Sequence, residues 1–126
     1  MSDQFKGLVK VAHAAFLAEQ SKLARIRSEE KAIRAQLGQL RADQTRLAER
    51  GSDGHDPAMA AGADALWMRW IAGRKQELNA ALMQLQSRKA RQFDAVKEAF
   101  GRHQATIALD ARKRREAEAL LARRAL

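Results

Sequence analysis

Apolar residues recur every three or four positions along the first half of the chain. Alternating steps of four and three residues lead through thirteen positions, ten of them apolar. A mean step of about 3.5 residues is the repeat of a coiled coil, and no stretch shows the two-residue alternation of a strand. The pattern therefore predicts one long helix with a narrow apolar seam at Phe5, Val9, Ala12, Phe16, Glu19, Leu23, Ile26, Glu30, Ile33, Leu37, Leu40, Gln44 and Leu47.

The one strong helix break lies at residues 51–57, which read Gly-Ser-Asp-Gly-His-Asp-Pro. Glycine and proline in such a cluster end a helix and favour a turn. We therefore predict helix 1 at about 3–50, a loop at 51–57 and helix 2 at about 58–126. Because Gly62 weakens the first turns of helix 2, a loop that continues to residue 63 is the alternative.

The second half carries a less apolar seam, which we expect to depart from the strict repeat. Two places step four and four, at Arg74–Leu78–Leu82 and at Leu85–Lys89–Phe93. Such stutters locally unwind a coiled coil. The predicted seam positions are Trp67, Ile71, Arg74, Leu78, Leu82, Leu85, Lys89, Phe93, Val96, Phe100, His103, Ile107, Asp110, Arg114, Ala117 and Leu121.

Two long helices joined by a short connection pack as antiparallel neighbours. The predicted fold is all-α, a single domain over residues 1–126 built as a long antiparallel two-helix coiled-coil hairpin. Folding the chain back at the loop places Phe5 opposite residues 102–103. Residues 105–126 then have no partner within the chain, which predicts a projecting C-terminal helix.

Composition supports an elongated protein and narrows its chemistry. Aromatic residues are 5% and charged residues 31% of the 126 residues, and there is no cysteine. A disulfide framework, a thiolate metal site and a cysteine nucleophile are thereby excluded. No segment has the pattern of a signal peptide or a membrane span, so we expect a cytoplasmic protein. The net charge of +9 favours an acidic protein surface, anionic lipid or nucleic acid as partner.

No constellation of residues predicts catalysis, so we expect no enzyme, no catalytic residue, no cofactor and no metal ligand. A catalytic site needs polar groups that converge in a pocket, and a two-helix hairpin offers little enclosed volume. We expect His13 and His103 to approach each other across the hairpin. A half-buried histidine pair without a ligand is the favoured interpretation, and a metal-binding pair is the alternative.

Trp67 and Trp70 lie three residues apart, on one face of helix 2. They either cap the core of the hairpin or form an exposed aromatic surface for a partner, since tryptophan is enriched in binding hot spots. The sequence leaves both interpretations open.

The C-terminal helix carries a basic run and several leucines. We predict that residues 105–126 form the main docking element, because an unpaired helix with apolar residues is poorly stabilised in water. The basic run has three possible interpretations: a plain solvated face, contact with an acidic protein, and contact with nucleic acid or lipid. The third is the least favoured, because no DNA-binding module surrounds the run. The candidate partner-binding residues are Arg112, Lys113, Arg114, Arg115, Leu120, Leu121, Arg123 and Arg124, with Trp67 and Trp70.

The seam from Phe5 to Leu47, the break at 51–57 and the tail Asp110-Ala-Arg-Lys-Arg-Arg-Glu-Ala-Glu-Ala-Leu-Leu-Ala-Arg-Arg resemble the FliJ/YscO family. These are the coiled-coil central-stalk proteins of flagellar and type III secretion export ATPases. The resemblance covers nearly the whole chain, by pattern rather than by motif.

The resemblance implies a non-catalytic stalk or adaptor that inserts into a hexameric export ATPase, like the γ stalk of rotary ATPases. It also implies contacts with the export gate and with export chaperones, in the cytoplasm or peripherally at the inner-membrane export apparatus. Two alternatives remain: a structural coiled coil that associates with itself, and a basic protein that binds nucleic acid or a membrane surface.

Overall fold

The protein is an all-α helical hairpin made of two long helices. The computed structural model describes residues 2–49 and 57–126, and within them α1 spans Ser2–Glu49 and α2 spans Pro57–Ala125. These residues contain no strand, as the repeat predicted. Residues 51–56 of the predicted loop lie outside the described residues. Helix α2 already begins at Pro57, so the alternative start at Asp64 is not observed.

The two helices form two compact units, each made of one segment from α1 and one from α2. Unit 1 comprises Met1–Arg25 and Lys89–Leu126, and unit 2 comprises Ile26–Arg88. Contacts in both units join rising residue numbers on α1 to falling numbers on α2, as antiparallel packing requires. In unit 1 they join His13 to His103 and Phe16 to Phe100; in unit 2 they join Glu29 to Arg88 and Gln44 to Lys75.

Unit 2 contains a cluster of buried aliphatic side chains around Ile71, whose side chain is fully buried. Leu37 and Leu40 from α1 and Leu78 from α2 complete the buried set, and Ile33, Leu47 and Leu82 pack against it. Burying an aliphatic side chain of this size contributes about 1.5–3 kcal/mol. Burial of this cluster therefore stabilises the pairing of α1 with α2 in unit 2.

The predicted seam of α1 is confirmed along its whole course. All thirteen predicted positions are buried or half-buried, and Asp43 is the one further described position on α1 that is not exposed. The seam includes Glu19, Glu30 and Gln44, whose polar side chains were predicted to lie on it. The periodicity of α1 thus identified its contact face from sequence alone.

The seam of α2 is regular, and the two predicted stutters are wrong. Steps of four and three run without a break through twelve positions that are buried or half-buried: Ile71, Lys75, Leu78, Leu82, Leu85, Lys89, Gln92, Val96, Ala99, His103, Thr106 and Asp110. The prediction had instead chosen Arg74, Phe93, Phe100 and Ile107, which are exposed. These lie one residue away from the seam positions Lys75, Gln92, Ala99 and Thr106.

Polar side chains on the seam make hydrogen bonds between the helices. Lys75 Nζ donates to Gln44 Oε1 at 2.5 Å in unit 2. In unit 1, Gln92 Nε2 donates to Glu19 Oε2 at 2.6 Å and to the Glu19 carbonyl oxygen at 2.9 Å. The Gln92 amide, and then Lys22, hold the pKa of the Glu19 carboxyl below its usual range. The charged form of Glu19 is thus the one that the contact with Gln92 favours.

The pairing register also differs from the predicted one. Phe5 was expected opposite residues 102–103, but the ring of His13 lies 4.9 Å from that of His103. The reason is that helix pairing on α2 begins at Ile71, while residues 58–70 are all exposed. About four turns at the start of α2 therefore lie outside the seam. The register is shifted by about two turns from the predicted one, with His13 rather than Phe5 opposite His103.

Replacing Ile71 with alanine should lower the free energy of unfolding by about 2–4 kcal/mol, because it leaves a cavity among Leu37, Leu40 and Leu78. Met83→Ala is the control, since the Met83 side chain is three-quarters exposed and an exposed substitution changes stability by about 0.5 kcal/mol or less. Urea denaturation followed by circular dichroism measures both. Equal losses in the two variants would show that Ile71 is not part of a packed core.

Spin labels test the register, and the absence of cysteine in the chain restricts them to introduced sites. We expect a shorter distance for K10C/A105C than for K10C/E98C in double electron–electron resonance. The observed register places residue 105 near the level of Lys10. Residue 98 lies seven residues closer to the start of α2, which is about 10 Å at 1.5 Å per residue. A shorter distance for the pair with residue 98 would instead support the register predicted from the loop.

Candidate docking surfaces

The paired part of α2 extends further than the sequence predicted. Thr106 and Ala111 are half-buried and Asp110 is buried, so residues 105–111 belong to the packed part of unit 1. The prediction that the unpaired segment begins at residue 105 is therefore wrong. Residues 112–126 are all exposed, and we call this stretch the tail.

Asp110 marks the last seam position before the tail. The residue is only 5% exposed, and its Oδ2 accepts a hydrogen bond from Arg114 Nη2 at 2.6 Å. Its Oδ1 has no hydrogen-bond partner among the described residues. Arg114 therefore neutralises a buried acid, which separates it from the other predicted docking residues.

The rest of the tail combines positive charge with exposed leucines. Arg112 and Lys113 both lie within 3.4 Å of carboxylate oxygens of Glu116. No ion pair within the described residues involves Arg115, Arg123 or Arg124. Leu120 and Leu121 are 50% and 65% exposed, so two apolar side chains near these basic residues remain open to solvent. Exposed leucines beside a positive helix face suit a partner with an acidic, partly apolar groove.

Trp67 and Trp70 form a stacked pair on the surface of unit 2. Their ring centroids are 5.0 Å apart with an interplanar angle of 14°, and the residues are 43% and 53% exposed. Neither tryptophan is among the buried cluster or the partly buried residues packed against it, and the predicted seam position of Trp67 is wrong because the seam starts at Ile71. The exposed residues Met59, Leu66 and Met68 belong to the same stretch of α2. A docking role for this aromatic surface remains a prediction.

Trp67 also lines a shallow open groove in unit 2. The other lining residues are two acids, one base and two apolar residues: Asp43, Asp64, Arg46, Leu47 and Ala63. Arg46 Nη2 lies 2.7 Å from Asp43 Oδ1, so these charges neutralise each other. The groove therefore lacks the convergent, enclosed polar groups that a small-molecule site needs.

A further exposed apolar surface lies on α1 in unit 1, and the sequence-based search missed it. Leu8 and Val11 are 51% and 68% exposed and line an open groove with Gln4, Phe5 and Gly7. The signal was present in the sequence, because Leu8 and Val11 are apolar residues off the seam of α1.

The part of the chain that the structure describes contains no metal centre with three or more protein ligands and no membrane-spanning helix. No group of three or more His, Cys, Asp or Glu side chains there could hold a metal ion. None of its helices has a segment long and apolar enough to cross a bilayer. Comparison with protein-family models, with curated proteins and with solved structures finds no match to this chain.

Arg114 and Arg115 make a matched pair that tests the role of Asp110. Arg114→Ala should lower the free energy of unfolding by about 1 kcal/mol or more, because it leaves a buried carboxylate without its hydrogen-bond donor. Arg115→Ala should change it by about 0.5 kcal/mol or less, as an exposed substitution does. Thermal and urea denaturation at neutral pH compare the two. Equal effects would show that Asp110 does not depend on Arg114.

Proposed function

We propose that this protein is a non-catalytic coiled-coil stalk or adaptor of a flagellar or type III protein-export ATPase complex. In this proposal it docks on protein partners through the tail, and the paired helices carry the tail. The observation that supports docking is the exposed tail, in which basic side chains and two leucines follow directly on the packed part of α2. The choice of an export ATPase as partner rests on the resemblance of the chain to the FliJ/YscO family.

The tail is suited to contact with an acidic protein surface. It holds six basic and two acidic residues, and opposite charge on a partner would speed encounter and fix its orientation. The leucines would supply apolar contact, which charge alone does not. Nucleic acid would use the same positive charge, but it has less use for Leu120 and Leu121.

The aromatic surface at Trp67 and Trp70 supports a second contact in the same complex. Tryptophan contributes large contact area at little loss of side-chain entropy, which is why it is frequent in binding hot spots. We assign it to an export-gate protein or an export chaperone, in line with the family that the chain resembles. The tail and the aromatic surface belong to different units of the chain, so each can be changed without disturbing the other.

Binding to the export ATPase of the same organism tests the proposal. The triple change R115E/R123E/R124E should weaken binding about tenfold or more at low salt, and less at high salt, because salt screens exposed charges. L120A/L121A should weaken it by a similar factor that changes little with salt, since apolar contact is lost. Arg112 and Arg114 are left in place, so that Glu116 and Asp110 keep their partners. Fluorescence anisotropy with labelled chain and ATPase plus nucleotide measures the affinities.

The control is R25E/K31E/R91E, which makes the same change of net charge at exposed positions outside the tail. It should reduce binding much less than the tail variant. Failure of the unaltered chain to bind the ATPase would contradict the proposal. Tight binding to duplex DNA with a steep dependence on salt would support the nucleic-acid alternative instead, and self-association that L120A/L121A abolishes would support the structural coiled coil.

A further inference from the structure

Two histidines from different helices lie side by side in unit 1. The ring centroids of His13 on α1 and His103 on α2 are 4.9 Å apart, with an interplanar angle of 36°. The two residues are more than eighty positions apart in sequence, so the helix pairing itself creates their contact. His13 is exposed and His103 half-buried, which leaves the pair open to solvent.

This spacing is compatible with two imidazoles that share a metal ion. Zinc binds histidine nitrogen at about 2.0–2.1 Å, which places each ring centroid roughly 3.2 Å from the metal, so at a tetrahedral angle the two centroids are about 5 Å apart. We infer that His13 and His103 form a two-histidine site for a divalent transition metal ion such as Zn²⁺ or Cu²⁺, with water in the remaining positions. The sequence alone favoured a histidine pair without a ligand. The observed contact between the two rings is the reason to propose the metal-binding pair instead.

The surroundings of the pair hold one imidazole in position. The Phe16 ring stacks on His103 at a centroid distance of 6.2 Å and 15°, and it also contacts Phe100 at 5.4 Å. A ligand whose ring is already oriented loses less freedom when the metal binds. Imidazole nitrogen suits zinc, copper and nickel rather than magnesium or calcium.

A bound ion would fasten α1 to α2 within unit 1. The unfolded chain does not hold the two histidines together, so metal binding would stabilise the folded form as its concentration rises. The absence of a third protein ligand among the described residues makes the site an open one, from which a chelator should remove the ion readily. This site is independent of the tail and of the aromatic surface.

The test is metal titration of the whole chain at neutral pH. Electron paramagnetic resonance of the unaltered protein with less than one equivalent of Cu²⁺ should show two imidazole nitrogens per copper. Zn²⁺ should raise the melting temperature, and a chelator should reverse the rise. His13→Ala and His103→Ala should each weaken metal binding roughly tenfold or more, because one of two ligands is lost. His55→Ala, which removes the third histidine of the chain, should bind as the unaltered protein does.

The inference would be overturned by a copper spectrum with one nitrogen, by single variants that bind metal as well as the unaltered chain, or by loss of binding in His55→Ala. An equimolar mixture of the His13→Ala and His103→Ala chains that binds like the unaltered protein would show a site between chains, and would also overturn it. The copper spectrum is taken on the unaltered protein, so the test does not depend on whether the variants fold.

Discussion

The packing of this protein depends on a single stripe of side chains between α1 and α2. Every buried residue of the described chain lies on the 3.5-residue repeat of one helix or the other, and outside this stripe the side chains are exposed or half-exposed. Because a pair of helices has no second layer to cover it, the regularity of the stripe decides which residues are stabilised and which remain available to partners. The tail and the first turns of α2 are exposed because the stripe does not reach them.

The stripe was predictable for α1 and only partly for α2, and the difference has a physical cause. On α1 the seam positions are mostly large and apolar, so the hydrophobic pattern and the true contact face coincide. On α2 they include Gln92, Ala99 and Thr106, which a search for large apolar side chains passes over in favour of Phe93, Phe100 and Ile107. The strict repeat was a better guide than side-chain size, since small and polar residues fit the closest approach of two helices when their polar atoms are bonded.

The pairing register and the extent of the tail could not be predicted, because they depend on where the connection ends rather than on periodicity. The sequence placed the first paired residues beside the loop, whereas the exposed stretch before Ile71 shows that pairing starts about four turns into α2. That shift brings His13 opposite His103 and draws Asp110 into the packed part of unit 1. Arg114, which the basic run suggested as a docking residue, is therefore paired with the buried carboxylate of Asp110.

Amide hydrogen exchange along α2 tests the central claim, that one continuous stripe separates a packed segment from two exposed ones. Exchange reports local opening, which is frequent where few apolar contacts hold a helix. Slow exchange is expected from Ile71 to Asp110 and fast exchange in residues 58–66 and 116–125, with no fast interval at the predicted stutters. Protection in the tail equal to that around Leu78 would contradict the account, because the tail would then be packed against its own chain.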